Sequence, residues 1–396
     1  MGKDVPTVTG ASTAARKPRD PFLDNAKVVL ITLVVVGHLL ENVTPSGAAD
    51  GAYTWIYLFH MPAFVALSGY LSRSFTATRK QCLSLITLLI APYMVFQTII
   101  SIERWSMGGA FSLNFFQPNW ALWYLLALAA WRLMTPLLRV IPHPLLVSIV
   151  VSVLSVTYGG ISQDLSGARI LSFLPFFTLG LMTTPERLER FKEATSALWV
   201  RSLSAMLLAS TFIGTYFLRD WIARRWLYMS GRESDFDMSN LELIILRCSV
   251  LLAAFVLTLA ALTLIPRRHN LLTSLGAASL GVYLLHVAIV YPLKFTIGDW
   301  KGWSLFSVVG LIFAGIVLSL ALATPPVQRA TRWLLDPINL IGRLRRSRPR
   351  PRFDDVVNGP DSEILEVHPK DPRVDEILEP RARPTPHGRQ QDHSGG

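Results

Sequence analysis

Residues 28–40 read Val28-Val29-Leu30-Ile31-Thr32-Leu33-Val34-Val35-Val36-Gly37-His38-Leu39-Leu40. The run is apolar except for Thr32 and one ionisable side chain, His38. Such a group is costly inside hydrocarbon, so an intramembrane histidine marks a functional site by default. Lys27 stands eleven positions earlier. At about 100° per residue, eleven steps end roughly 20° past three full turns. Lys27 and His38 therefore share one helix face, roughly 16 Å apart along the axis. The pattern places Lys27 at the membrane edge and His38 near the middle. Taken singly, His38 also fits a helix-packing role and Lys27 a snorkelling anchor.

Blocks of the same kind recur along all 396 residues, and the mean hydropathy is +0.39. Only 16% of residues are charged, against about 25% in soluble domains. About ten candidate spans follow: Lys27–Leu40, Tyr53–Leu71, Cys82–Ile102, Trp120–Val140, Pro144–Tyr158, Ile170–Thr183, Leu198–Leu218, Leu241–Ile265, Leu271–Pro292 and Trp303–Thr324. The fold class expected is all-α, a polytopic transmembrane helix bundle in a lipid bilayer. No cleavable signal peptide is evident, since Met1–Asp20 lacks an apolar core. Three segments are expected: 1–20, disordered; 21–335, the membrane domain; and 336–396, a disordered Arg/Pro-rich tail.

The net charge of +11 is concentrated at the termini and in short loops. Its placement fits positive-inside topology rather than nucleic-acid binding. Alternate loops hold the excess, among them Arg73, Arg79, Lys80, Arg187, Arg190, Arg267 and Arg268, which puts both termini in the cytoplasm. The loop 218–240 departs from the rule, with Arg219, Arg224, Arg225 and Arg232 beside Asp220, Glu233, Asp235 and Asp237. It reads either as a lid or acceptor-binding element or as a plain polar loop. Trp105, Trp221, Trp226 and Tyr228 on the outward side suit sugar stacking or interfacial anchoring equally. Cys82 and Cys248 are too few for a disulfide framework and read as small buried hydrophobes. There is no phosphate-binding loop, no nucleophile elbow and no zinc spacing, and no metal is expected.

His60 lies in the second block and His286 in the ninth. Three titratable histidines in three spans point to a shared polar cavity, with His60 and His286 towards the outer half. Pro62 and Gly69 mark a bent helix or, for Pro62, a first-turn proline.

Asp24-Asn25-Ala26-Lys27 with Val34-Val35-Val36-Gly37-His38, then Phe59-His60-Met61-Pro62 and Leu67-Ser68-Gly69-Tyr70, resemble the acyltransferase-3 family of integral membrane acyltransferases, in its fucose 4-O-acetylase-like branch. Ala91-Pro92-Tyr93, Leu122-Trp123-Tyr124-Leu125, Phe173-Leu174-Pro175-Phe176-Phe177 and Tyr283-Leu284-Leu285-His286 follow in family order. The spacing of Lys27 and His38 matches the family's basic-x10-His signature. The resemblance implies a ten-span protein of the inner (plasma) membrane. It implies transfer of an acyl group, usually acetyl, from cytoplasmic acetyl-CoA to a hydroxyl of a sugar or other glycan or glycolipid acceptor. On that reading His38, His60 and His286 are the catalytic set, with His38 as base or transient acyl carrier. Lys27, beside Asp24, meets the donor at the cytoplasmic mouth. Ser68, Tyr70 and Tyr283 are candidates to bind the substrate or its oxyanion. Many members carry an Arg-x-x-Arg pair before the Pro-Tyr of the third span. Here the residues before Pro92 are apolar, and Arg79 and Lys80 serve either the donor's phosphates or the positive-inside rule. Outside this class, intramembrane histidines also suit a proton-coupled transporter. No inverted repeat supports that alternative.

Overall fold

A computed structural model of the protein describes residues 20–43, 47–158, 164–222, 224–229, 238–297 and 303–338. Among the described residues the chain is all-helical, with no strand. In chain order the main helices are α1 (Pro21–Glu41), α2 (Gly47–Leu71), α3 (Arg79–Ser106), α4 (Trp120–Val140), α5 (Pro144–Thr157), α6 (Asp164–Met182), α7 (Pro185–Ala194), α8 (Leu198–Leu218), α9 (Asn240–Leu264), α10 (Leu271–Thr296) and α11 (Leu305–Leu322). Eight of them are long and apolar enough to cross a membrane; α2, α5 and α7 are not among the eight. Helix α2 has the length, at 25 residues, and α5 is apolar but has 14. With these two the number is about ten, as the apolar blocks predict. Helix α7 is the exception in kind, a short charged helix capped by the Thr184 hydroxyl.

Local chemistry explains the boundaries. Asp20 caps α1 by accepting from the Phe22 N–H at 2.9 Å, and Pro21 occupies the first turn, where its missing N–H costs nothing. In α3 the turn Ile86–Ile90 widens to a π-helix just before Pro92. A proline ring crowds the carbonyl four residues back and supplies no N–H, so the helix opens there. Helix α8 buries only Ser204, Leu208 and Thr215, while Leu198, Trp199 and Met206 stay exposed. That outward apolar face needs lipid as its solvent.

The helices alternate in direction, so the connections gather at two ends. At one end Asp20 meets Lys192, Arg267 donates to the Lys192 and Thr195 carbonyls, and Arg139 reaches the turn after α2 at Phe75. At the other, Glu41 meets Trp120, Asp50 meets Arg224 and Gln117 meets Asp164. The first holds Lys27 and the second His38. His38 sits in the last turn of α1. It therefore lies near one end of its helix, a correction to the mid-membrane depth expected from the apolar run. The apolar run ends at Leu40, two residues past His38, and the helix ends at Glu41.

Asn25 is a packing residue. Its side-chain amide donates to the Pro266 and Arg268 carbonyls at 2.9 and 3.1 Å, and its oxygen accepts from the Thr273 hydroxyl at 2.8 Å. One buried side chain thus pins α1 to the α9–α10 connection. Asn25→Ala strands these partners and is expected to cost about 3 kcal/mol. The check is the thermal unfolding midpoint in detergent; an unchanged midpoint contradicts the assignment.

The segments expected to be disordered, 1–20 and 336–396, lie outside the described residues except for Asp20 and 336–338. Arg232, Glu233, Asp235 and Asp237 of the 218–240 loop lie outside them as well.

Candidate active site

His38 is 8% exposed. Its Nδ1 lies 3.2 Å from Oε2 of Glu41, one turn later on α1. A carboxylate only accepts, so Nδ1 carries a proton, and in the neutral ring Nε2 keeps its lone pair. The same Oε2 accepts from the Trp120 indole at 2.9 Å, and Lys294 stands 3.9 Å from Oε1. Trp120 packs on His38 with ring centroids 4.3 Å apart. Its backbone is in the left-handed region, φ 45°, a conformation that costs a tryptophan of order 1–3 kcal/mol and recurs at functional sites. The bend at the head of α4 is what turns the indole onto Glu41 and His38.

His286 stacks on His38 at 5.5 Å, with 23° between the rings. Its Nδ1 donates to the Val282 carbonyl at 3.2 Å, and its Nε2 is buried with no protein partner among the described residues. His60 is one step removed. Its Nδ1 donates to the Ile56 carbonyl at 2.7 Å, and its ring packs on Tyr57 at 4.6 Å; Tyr57 in turn reaches the His38 ring at 6.4 Å. His38 and His286 therefore share a level, and His60 lies deeper along α2. The sequence alone instead groups His60 with His286 towards the outer half, apart from His38.

A cavity of about 110 Å³ opens beside His38, lined by Glu41, Tyr53, Tyr57, Trp120, Trp123, Arg169 and Tyr228 among others. It has room for roughly eight waters, and so for an acyl group or one sugar ring. The neighbouring large cavities are lined mainly by apolar side chains.

Between this cavity and the Lys27 end runs a column of polar side chains. Arg132 Nε lies 3.3 Å from the Ser72 hydroxyl, which donates to the Ser68 carbonyl at 2.7 Å. The Ser68 and Tyr124 hydroxyls are 2.5 Å apart. Tyr124 then packs on Tyr283 at 5.6 Å and Tyr283 on His286 at 5.7 Å. Tyr283 spends its hydroxyl on the Ala121 carbonyl.

The remaining sequence candidates are not brought to the cavity. Lys27 sits at the opposite end of α1, paired with Asp24 at 2.5 Å. Asp24 is buried against Gly276, whose added Cβ would fall 2.7 Å from the Asp24 Cβ. Tyr70 lies under the Arg73 guanidinium at 3.7 Å, beside a different, apolar cavity. Arg79 and Lys80 are exposed at the start of α3. Conversely, Glu41, Trp120 and Arg169 belong to the site and were not singled out. Glu41 carries a legible signal, an acid three residues after His38 on one helix face; the other two arrive from distant helices.

The family model described as an acyltransferase domain, acyltransferase-3, matches residues 20–324. The chain belongs to the acyltransferase-3 family. That domain covers every helix that builds the site, and its family is one of enzymes that transfer acyl groups other than aminoacyl groups. Two curated relatives match over short stretches. The nodulation protein NolL of Mesorhizobium japonicum is 45% identical over 67 residues, 16% of this chain and 18% of that protein. NolL of Sinorhizobium fredii is 42% identical over 71 residues, 17% of this chain and 19% of that protein. The matched stretch thus spans under a fifth of either relative. No solved structure matches the chain. Among the described residues no cluster of metal-ligating side chains occurs.

Proposed function

We propose that this acyltransferase-3 protein is a membrane O-acetyltransferase of the fucose 4-O-acetylase-like branch. It takes acetyl from cytoplasmic acetyl-CoA and places it on a hydroxyl of a sugar in a cell-envelope glycan or glycolipid. It lies in the inner membrane with both termini in the cytoplasm. The observation that carries the reading is the His38–Glu41 pair, which leaves Nε2 as a positioned base beside a polar cavity.

The chemistry balances with the groups present. The acceptor hydroxyl oxygen attacks the thioester carbonyl carbon while His38 Nε2 takes the hydroxyl proton. Collapse of the tetrahedral intermediate breaks the C–S bond, and His38 returns the proton to the departing thiolate. The products are the O-acetyl ester and free CoA. Glu41 holds the tautomer and favours the imidazolium as it forms, the role a carboxylate plays in hydrolytic triads. The donor's phosphates stay at the Lys27 end, near Lys27, Arg79 and Lys80, and its pantetheine arm follows the Ser68–Tyr124–Tyr283 column to His286 and His38.

Removing the orienting charge tests the pair. Glu41→Gln is expected to lower kcat by about tenfold to a hundredfold. The KM for acetyl-CoA and the unfolding midpoint should stay near wild type. Steady-state release of CoA thiol reads the rate. An unchanged kcat removes Glu41 from the account.

A further inference from the structure

We infer that Arg169 reads an anionic group on the acceptor, a carboxylate or a phosphate, so that the preferred acceptor is an acidic glycan. The inference rests on the transferase reading of the same cavity and adds the class of its acceptor. Arg169 stands near the N-terminal end of α6 and forms part of the wall of the His38 cavity. Among the described residues it makes no ion pair and no hydrogen bond. Its guanidinium carbon lies 5.1 Å from the centroid of the Trp123 ring, and Tyr57, Tyr228, Tyr283 and Glu41 are near enough to act on its charge.

Glu41, the acid that shares the cavity, is already engaged by His38, Trp120 and Lys294. Arg169 is half-buried and has no carboxylate in ion-pair contact among the described residues, so its guanidinium is partly desolvated, a cost that is recovered when an anion pairs with it. Its planar fork fits a carboxylate or phosphate through two parallel hydrogen bonds, and the indole beneath fixes its plane. Tyr53, Tyr57 and Tyr228 complete the wall with aromatic faces suited to a sugar ring. Cation and base thus line one cavity, as recognition of a charged sugar with a nearby hydroxyl requires.

The test uses the full chain in detergent and three probes: an oligoglucuronide, its carboxyl-reduced neutral counterpart, and a phosphorylated sugar oligomer. Binding is read by tryptophan fluorescence and transfer by CoA thiol release from acetyl-CoA. Wild type is expected to bind at least one acidic probe tenfold or more tighter than the neutral one, with the preference shrinking as salt rises. Arg169→Gln should erase the preference, weakening the acidic probe by tenfold or more relative to the neutral one, and Arg169→Lys should keep part of it. The two acidic probes separate carboxylate from phosphate.

Equal wild-type affinity for acidic and neutral probes overturns the inference, as does failure of both acidic probes to bind. It is also overturned if Arg169→Gln slows transfer to every acceptor equally, which is the mark of oxyanion stabilisation. Any of these outcomes leaves the transferase reading standing as long as the neutral acceptor is acetylated. If no acceptor is acetylated and no CoA binds, the transferase reading itself has failed.

Discussion

His38→Ala is expected to lower acetyl transfer by about 10³-fold, within the 10²–10⁴-fold range that a positioned base supplies. The loss should fall on kcat. Lys27, Arg79 and Lys80 lie at the far end of the bundle, so acetyl-CoA affinity should stay within about twofold of wild type, an expectation that follows from the roughly 16 Å between the Lys27 and His38 levels. His38→Gln should be as inactive as His38→Ala, because an amide preserves volume and hydrogen bonding but has no basic nitrogen. The pair of variants separates proton transfer from packing: a glutamine enzyme with substantial activity would make His38 a spacer. His286→Ala should cost less. Its ring supports His38 by stacking, yet its Nδ1 is bound to the Val282 carbonyl and no carboxylate orients it.

The second large effect is structural. Helices α2 and α6 approach so closely that an added Cβ at Gly180 would fall 1.8 Å from the Ala66 carbonyl oxygen, and one at Gly69 would fall 2.0 Å from that of Phe177. Both neighbours are backbone, so neither can swing aside, and the helices themselves must separate. Such contacts are how small residues bring membrane helices together. Gly180→Ala and Gly69→Ala should each cost on the order of 3 kcal/mol or more, above the usual overpacking range, because rigid elements must move. The readout is monodisperse folded protein after detergent extraction, expected to fall at least tenfold, with the surviving fraction unfolding at lower temperature. Gly214→Ala on α8 is the control. Nothing lies within 4 Å of its added Cβ, and alanine is the better helix former by about 1 kcal/mol. Equal behaviour of the three variants contradicts the close-approach assignment. The consequence reaches the site, since α2 carries His60 and Ser68 and α6 carries Arg169.

Much of the fold was legible because lipid imposes one demand on every span, an apolar block of fixed length. Each apolar block from Lys27 to Thr324 appears as helix, including the short block at Pro144. The depth of His38 was not legible. Hydropathy locates a run but not where its helix stops, and Glu41 continues α1 past the last apolar residue as the hydrogen-bond partner of His38. Asn25 was read only as part of a motif, whereas its amide ties α1 to the α9–α10 connection. Lys27 reads as a donor-binding cation beside Asp24, and Asp24, one turn earlier on the same face, is its ion partner at 2.5 Å. The cavity wall was the least legible part. Tyr228 reads as suited to sugar stacking or interfacial anchoring, but Trp120 and Arg169 come from separate helices, and no periodicity within one helix announces a neighbour from another. Arg247 makes the same point: it is buried in α9 with one guanidinium nitrogen unpartnered among the described residues, and nothing in its local sequence signals this.

The central claim is that His38 delivers the acyl group of a CoA thioester to a sugar hydroxyl. Its most direct test is acetyl-labelled CoA supplied to the purified full chain with an envelope glycan extract, followed by recovery of label from the glycan before and after mild alkali. The account predicts label in the glycan as an alkali-labile O-ester with wild type, and none above background with His38→Ala, although both proteins bind the donor. Equal labelling by wild type and His38→Ala, or alkali-stable label, would contradict it.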